Sequence, residues 1–153
     1  MTAAVIATFL VRCLMVLLFL PFSALDKVLG FNHAVKQTQQ MFPQQWLARA
    51  VILGGLVIEV VCSLCVVTGV ADRAGAFTIA GYCVATAVLF KQFWKPGDFW
   101  SDPDGRGRGL FWDFLKNMAL GAGFLLLVIG TDGSGLQLFL NAPFKSSHPY
   151  WNH

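Results

Sequence analysis

WLARAVILGGLVIEVVCSLCVVTG occupies residues 46–69, and after Arg49 its only charged side chain is Glu59. A helix needs roughly 20 consecutive apolar residues to cross a ~30 Å hydrocarbon layer, and this stretch supplies them. We therefore predict a transmembrane helix here. A carboxylate at bilayer depth costs a few kcal/mol or more unless it is paired, neutral or turned toward protein. Glu59 must therefore face a partner inside the protein.

The composition extends this prediction to the whole chain. Of its 153 residues, 56% are hydrophobic and 12% charged, whereas an average soluble domain is about 25% charged. The formal charge of +3 is small and scattered, which argues against nucleic acid binding. The length suits one all-α bundle of about four spanning helices and leaves no room for a separate soluble catalytic domain. We predict a four-helix transmembrane domain over residues 1–130 and an extramembrane tail over residues 131–153.

Three further apolar segments complete the predicted bundle. The first helix covers Ala3–Ala24, where the lack of an early basic residue argues against a signal peptide, and Pro21 bends or ends it. The third and fourth cover Arg73–Phe93 and Leu110–Gly130. Between the first two helices, Leu25–Pro43 is polar with scattered apolar residues. It predicts a partly helical interfacial segment, with a solvated loop as the alternative.

Basic residues are distributed unequally between the two ends of the bundle. One end holds Lys27, Lys36, Arg49, Lys91, Lys95, Arg106, Arg108 and Lys116, and the other holds Arg73 and Lys145. The positive-inside rule then places both termini on the non-cytoplasmic side. Aromatic residues also fall near the predicted helix ends, as an interfacial belt requires. They are Trp46, Trp94, Trp100, Trp112, Tyr150 and Trp151.

The buried charges are matched by their depth. Arg12 lies roughly 12 residues before the predicted end of the first helix, and Glu59 lies roughly 13 residues after Trp46, so both sit ~18–20 Å from one interface at ~1.5 Å per residue. The first two helices are antiparallel neighbours. We therefore predict a buried Arg12–Glu59 ion pair, with a structural or a functional role left open.

A second group of polar residues gathers near the more basic end. Asp113, Lys116 and Asn117 share one helical face because they are three and four residues apart. With residues from the other helix ends they predict a polar pocket for a quinone head or a lipid headgroup; the alternative is that these charges extend to water. The pocket residues are Asp26, Lys27, Lys91, Trp94, Trp112, Asp113, Lys116 and Asn117.

The sequence resembles the DoxX family of small membrane proteins from about residue 8 to 128. The resemblance rests on Arg12, FSALDKVLGF (Phe22–Phe31), GGLVIEVVCSLCVVTG (Gly54–Gly69), Arg73 and FLKNMALGAG (Phe114–Gly123). It implies a four-helix membrane bundle. It also implies a role like that of members described as subunits or accessories of membrane oxidoreductase complexes, including thiosulfate to quinone and thiol-redox systems. We accordingly expect a protein of the bacterial inner membrane.

Cys62 and Cys65 form a C-x-x-C motif, and Cys62 stands where the family favours glycine. A four-helix membrane protein with this motif invites comparison with quinone-linked disulfide oxidases of the vitamin K epoxide reductase type. Redox pairs of this kind need a stabilised thiolate, commonly at a helix N-terminus. Cys62 instead lies deep in a helix, one turn from Glu59, where burial and the carboxylate disfavour a thiolate. Small apolar packing is the favoured interpretation, and a redox pair is the alternative.

The predicted function is that of an accessory or anchor subunit of a membrane-bound redox complex adjacent to quinone. The alternative is a thiol or thiosulfate to quinone oxidoreductase in its own right, and a transporter ranks third because no broken helix is evident. The expected partners are the lipid bilayer and larger redox subunits. We predict no catalytic residue, no metal site and no cofactor bound by this chain alone apart from a candidate quinone. A b-type haem in a helical bundle needs histidines on the spans, and His33, His148 and His153 lie outside the predicted ones.

Overall fold

The computed structural model describes residues 2–130 and 132–151. Met1 lies outside the described residues, as do Thr131, Asn152 and His153 of the predicted tail. Four helices are long and apolar enough to cross a membrane, and we call them the first to fourth spans: Ala3–Leu29, Gln45–Thr68, Asp72–Phe90 and Arg106–Ile129. The predicted all-α four-span bundle is therefore confirmed.

The first span is not a uniform α-helix. It consists of an α-helix over Ala3–Val16, a π-helical turn over Leu18–Ser23 and an α-helix over Ala24–Leu29. Pro21 lies inside the π-helical turn, and Leu20 before it leaves the helical region with φ −122° and ψ 112°. Proline removes a backbone donor and disfavours helical geometry in the preceding residue. Pro21 therefore bends the span, which continues beyond its predicted end at Ala24.

The second span is also irregular, at a segment that contains no proline. An α-helix over Gln45–Val57 leads into a π-helical turn over Ile58–Cys62, and an α-helix over Ser63–Thr68 follows. Such turns are frequent at functional sites because they redirect side chains. Glu59 lies in this one. The two π-helical turns contact each other, so the irregular parts of both spans meet inside the bundle.

The core of the bundle lies between the third and fourth spans. Ile79, Cys83 and Phe124 are fully buried there. Gly121 allows the close approach, because a Cβ at that position would lie 3.3 Å from the carbonyl oxygen of Ala80. Small residues at such contacts let helices pack tightly in lipid, where dispersion contacts rather than hydrophobic burial drive association.

Two shorter helices flank the spans. The predicted segment between the first two spans forms a helix over Phe31–Gln39, and we call it the connector helix. Its Val35 packs against Ala48 and Ile52 of the second span in a separate apolar cluster. After the fourth span, a helix over Ser134–Asn141 packs against that span.

The predicted Arg12–Glu59 ion pair is wrong. Arg12 pairs with Asp72, and Glu59 pairs with Lys27. Arg12 and Glu59 would lie at the same depth only if the first span ended at the interface where the second span begins. The connector helix instead packs along the first turns of the second span, so the first span ends at the level of Glu59. This arrangement brings Lys27 to Glu59 and moves Arg12 toward the start of the third span.

Candidate functional site: a pocket around Glu59

Glu59 is the centre of a buried polar cluster in which three donors converge on one carboxylate oxygen. Its Oε1 accepts hydrogen bonds from Lys27 Nζ at 2.6 Å, Ser23 Oγ at 2.9 Å and Tyr82 OH at 3.0 Å. The Glu59 residue is only 1% exposed. A charge at this depth requires a partner, and the Lys27 ammonium provides it.

The local sequence explains why these donors meet. Lys27 lies four residues after Ser23, so the two side chains share a helical face, and Lys27 Nζ donates to Ser23 Oγ at 2.6 Å. Gly55 makes room for Tyr82 across the helix interface, because a Cβ at Gly55 would lie 3.0 Å from the Tyr82 hydroxyl oxygen. The absence of a side chain at residue 55 thus lets the phenol reach Glu59.

The second oxygen of Glu59, Oε2, is buried and accepts no hydrogen bond from the part of the chain that the structure describes. A buried polar atom left unpaired in a folded protein calls for an explanation, because its desolvation is uncompensated. Glu59 also lines a cavity of about 410 Å³ together with Lys27 and Tyr82. Pockets of this size are where a bound group could reach a side chain such as Glu59. Pockets of 300–1,000 Å³ are typical of small-molecule sites.

Half of the residues predicted for the polar pocket line this cavity. Asp26, Lys27, Lys91 and Asn117 lie on its wall. They come from the first span, from the residue that follows the third span and from the fourth span, as expected for residues near one end of the bundle. The cavity is deeper than predicted, because its other side is formed by Glu59 and the connector helix.

The other four predicted residues lie outside the cavity lining. Asp113 accepts from Lys91 Nζ at 3.1 Å, and Lys116 Nζ lies 3.7 Å from its other oxygen. Trp94 packs against the rings of neighbouring phenylalanines, and Trp112 is exposed. These side chains form a half-exposed ion-pair group and part of the aromatic rim beside the cavity.

A second buried ion pair lies toward the opposite end of the bundle. Arg12 Nη1 is 2.7 Å from Asp72 Oδ2 and also donates to the Val66 carbonyl oxygen at 2.8 Å. Ser147 from the tail bonds both Asp72 oxygens, through its backbone N–H to Oδ1 at 2.9 Å and through its hydroxyl to Oδ2. Both carboxylate oxygens are therefore satisfied, while Arg12 Nε lacks a partner among the described residues.

The tail segment over residues 146–150 covers this second pair. Ala71 N–H donates to Ser146 Oγ at 3.1 Å, and the Tyr150 hydroxyl donates to the Val67 carbonyl oxygen. Gly69, at φ 77°, lies directly under Pro149. Partial burial raises the pKa of the Tyr150 phenol, which keeps it in the neutral, donating form. The tail thus returns to the bundle and seals the Arg12–Asp72 pair.

The four cysteines form no disulfide. Cys62 and Cys65 lie where the second and third spans approach most closely. A Cβ at Gly75 would lie 2.9 Å from Cys65 Cβ and 3.0 Å from the Cys62 carbonyl oxygen. This tight contact fits the packing interpretation of the C-x-x-C motif.

Four residues of the Glu59 cluster and the Arg12–Asp72 cluster were not predicted from the sequence. They are Ser23, Tyr82, Asp72 and Ser147. Ser23 had a local signal, because it lies one helical turn before Lys27. Asp72 also had a local signal, because an acidic residue is favourable in the first turn of a helix, but nothing near it in the sequence indicates Arg12 as its partner. Tyr82 and Ser147 had no local signal, because their contacts depend on how distant elements pack.

The fold and the cavity define a small four-span integral membrane protein with a charge-lined pocket inside the bundle. Residues 7–92 match the DoxX family, and the chain belongs to that family. The chain is similar to the inner membrane protein YphA of Escherichia coli (strain K12), with 29% identity over 123 residues, which is 80% of this chain and 81% of YphA. No solved structure matches the chain significantly. The resemblance found from the sequence is thereby confirmed.

Proposed function

We propose that this chain is an accessory or anchor subunit of a membrane-bound redox complex in the bacterial inner membrane, and that the Glu59 pocket binds the head of a quinol. The observation that carries the proposal is that Glu59, whose Oε2 has no partner among the described residues, lines a cavity of about 410 Å³. The family membership and the name of the inner membrane relative support the location.

The chemistry of the pocket favours quinol over quinone at Glu59. An ionised carboxylate can only accept hydrogen bonds. A quinol hydroxyl donates one and would satisfy Oε2, whereas a quinone carbonyl has no proton to donate. Lys91 and Asn117 also line the cavity and carry N–H groups for the second quinol oxygen. The apolar wall of the cavity includes Leu18 and Phe19, which suit the ring.

Replacement Glu59→Gln tests this assignment. The glutamine oxygen keeps the three donors of the cluster, while its NH₂ group replaces the free oxygen with a donor. We expect decylubiquinol to bind roughly 10- to 100-fold more weakly, the usual contribution of a hydrogen bond to a charged group, with decylubiquinone binding unweakened. Dissociation constants are measured by fluorescence quenching in neutral detergent.

The matched control is Asp104→Asn, which makes the same chemical change at an exposed carboxylate away from the cavity lining. It should bind both probes like the unmodified protein. Equal quinol affinity in the Glu59→Gln variant would contradict the pocket assignment.

The subunit role needs a separate experiment. In this proposal, electron-carrying groups belong to partner chains, so purification in mild detergent should recover larger redox proteins with this chain. Mass spectrometry identifies them. A solitary chain that reduces added quinone with thiosulfate or a thiol would support the alternative of an enzyme in its own right. Replacing Cys62 and Cys65 by alanine should leave the activity of the assembly unchanged, because both pack against the third span.

The orientation proposed from the basic residues places both termini on the non-cytoplasmic side. The connector helix and the loop between the third and fourth spans would then face the cytoplasm. Labelling a cysteine introduced at exposed Lys145 with a membrane-impermeant maleimide in spheroplasts tests this orientation, since the proposal expects labelling without lysis.

A further inference from the structure

A second, larger groove of about 680 Å³ lies beside the Glu59 pocket, between the connector helix, the end of the third span and the start of the fourth. We call it the basic groove. None of the four side chains of the two buried ion pairs lines it. Its polar lining residues are Gln37, Gln40, Lys91, Gln92, Lys95 and Arg106.

The lining of the basic groove carries a net positive charge. It contains three basic residues and no carboxylate. Lys91 shares its charge with Asp113 at 3.1 Å. Within residues 2–130 and 132–151, no carboxylate oxygen forms an ion pair with Lys95 or Arg106. Two cations therefore face the groove without a protein partner.

The groove lies beside the start of the fourth span. The helix begins at Arg106 and has no acidic residue in its first turn. A helix N-terminus carries a partial positive charge that favours anions. The Asp98 carboxylate accepts from the Gly107 N–H at 2.9 Å and offsets part of this charge, although Asp98 is not part of the groove lining. The positive charge of the groove therefore comes from its basic side chains.

The groove is also amphipathic. Leu89, Phe90 and Leu110 form an apolar wall beside the basic and amide groups. Gln37, Phe90 and Lys91 line both this groove and the Glu59 pocket, so the two spaces adjoin. Basic pockets between transmembrane helices on the cytoplasmic side are typical sites for anionic lipid headgroups.

We propose that the basic groove binds a phosphate group, carried by an anionic phospholipid or free in solution. Lys95 and Arg106 contact the phosphate, the glutamine amides donate to it, and the apolar wall accommodates the glycerol and upper acyl chain of a lipid. The proposal does not depend on quinol binding at Glu59, because Lys95 and Arg106, the cations that contact the phosphate, do not line the Glu59 pocket.

Native mass spectrometry of the full chain in neutral detergent tests the proposal. Dioleoylphosphatidylglycerol and dioleoylphosphatidylcholine are titrated separately, and inorganic phosphate is titrated in the absence of lipid. A basic residue near a phosphate contributes about fivefold in affinity. The double variant Lys95→Gln/Arg106→Gln should therefore bind phosphatidylglycerol about 25-fold more weakly, with a smaller loss for phosphatidylcholine, whose phosphate charge is offset by its own choline cation.

Two control variants keep the test decisive. Lys36→Gln removes an exposed charge from the connector helix outside the groove lining and should leave phosphatidylglycerol binding unchanged. The charge-preserving variant Lys95→Arg/Arg106→Lys should retain binding within a few fold, which separates charge from misfolding. Weaker phosphatidylglycerol binding with inorganic phosphate binding unchanged identifies a lipid site, and an equal loss of inorganic phosphate identifies a free-phosphate site. Equal weakening by Lys36→Gln, or no effect of the double variant on either probe, would overturn the proposal.

Discussion

The two buried ion pairs of the bundle each join a basic side chain to a carboxylate, but they differ in how many carboxylate oxygens accept hydrogen bonds. Arg12 and Asp72 are sealed by the tail, and both oxygens of Asp72 accept bonds from protein groups. Lys27 and Glu59 line an open cavity, and one oxygen of Glu59 is unpaired. Both carboxylates are almost fully buried, at 0% and 1% exposed.

The difference separates a structural pair from a candidate binding pair. A carboxylate whose lone pairs are all used by the protein has nothing to offer a ligand, and removing its partner only destabilises the fold. A carboxylate with a free oxygen in a cavity retains binding capacity, and water or a ligand can compensate a lost partner. The first pair should therefore control stability and the second should control binding.

The largest expected effect comes from replacing Arg12 by leucine. This change strands the Asp72 carboxylate in the protein interior, which typically costs about 3–5 kcal/mol. Lys27→Leu should cost clearly less, because Glu59 keeps the Ser23 and Tyr82 donors and its cavity admits water. Unfolding free energies measured by SDS titration in mixed micelles compare the two.

The double variant Arg12→Leu/Asp72→Leu serves as the control for this comparison. Replacing both members of a buried pair by apolar residues removes the stranded charge, so it should recover much of the loss. If Lys27→Leu were as destabilising as Arg12→Leu, the division into a structural and a binding pair would be wrong.

The fold was predictable from the sequence because bilayer thickness fixes the length of an apolar helix. The four spans, the bend at Pro21 and the helical segment between the first two spans all follow from local composition. The pairing of buried charges was not predictable by depth. Two π-helical turns and the packing of the connector helix against Ala48 and Ile52 shift the first two spans relative to each other.

The candidate site was therefore predicted in part. Glu59 could be identified as a carboxylate that needs a partner, and Lys27 could be placed near one end of the bundle. Their contact depends on tertiary packing that no local pattern encodes. The return of Ser147 to Asp72 joins residues far apart in the chain, which explains why the tail gave no sign of its role.

The seal over Arg12 and Asp72 can be tested at Gly69. Gly69→Ala places a methyl group 2.6 Å from Pro149 Cδ and also strains a backbone with φ 77°. We expect a loss of about 1–2 kcal/mol from the left-handed backbone alone, and further destabilisation from displacement of the tail. Displacement should also accelerate trypsin cleavage after exposed Lys145, measured by mass spectrometry.

Gly97→Ala is the matched control for backbone strain. Gly97 has nearly the same φ, 78°, but no atom lies within 4 Å of its added Cβ. It should show the strain without faster cleavage after Lys145. Equal cleavage rates in the two variants would mean that Gly69 does not support the docked tail.

The smallest expected effect on stability comes from a change beside the Lys27–Glu59 pair. It separates the contacts of Glu59 with the protein from its capacity to bind quinol. Gly55→Ala places a methyl group 3.0 Å from the Tyr82 hydroxyl oxygen, which must shift by a few tenths of an ångström. We expect this shift to weaken the Tyr82–Glu59 hydrogen bond and to lower the unfolding free energy by up to about 1 kcal/mol. Gly54→Ala, which meets no atom within 4 Å, should change the unfolding free energy by less than about 0.5 kcal/mol.

Because quinol would bind to Oε2 rather than to the oxygen that Tyr82 contacts, decylubiquinol affinity should survive in the Gly55→Ala variant although its stability falls. A parallel loss of affinity and stability would instead show that the pocket requires Tyr82 in place, and that binding and packing at Glu59 are not separable.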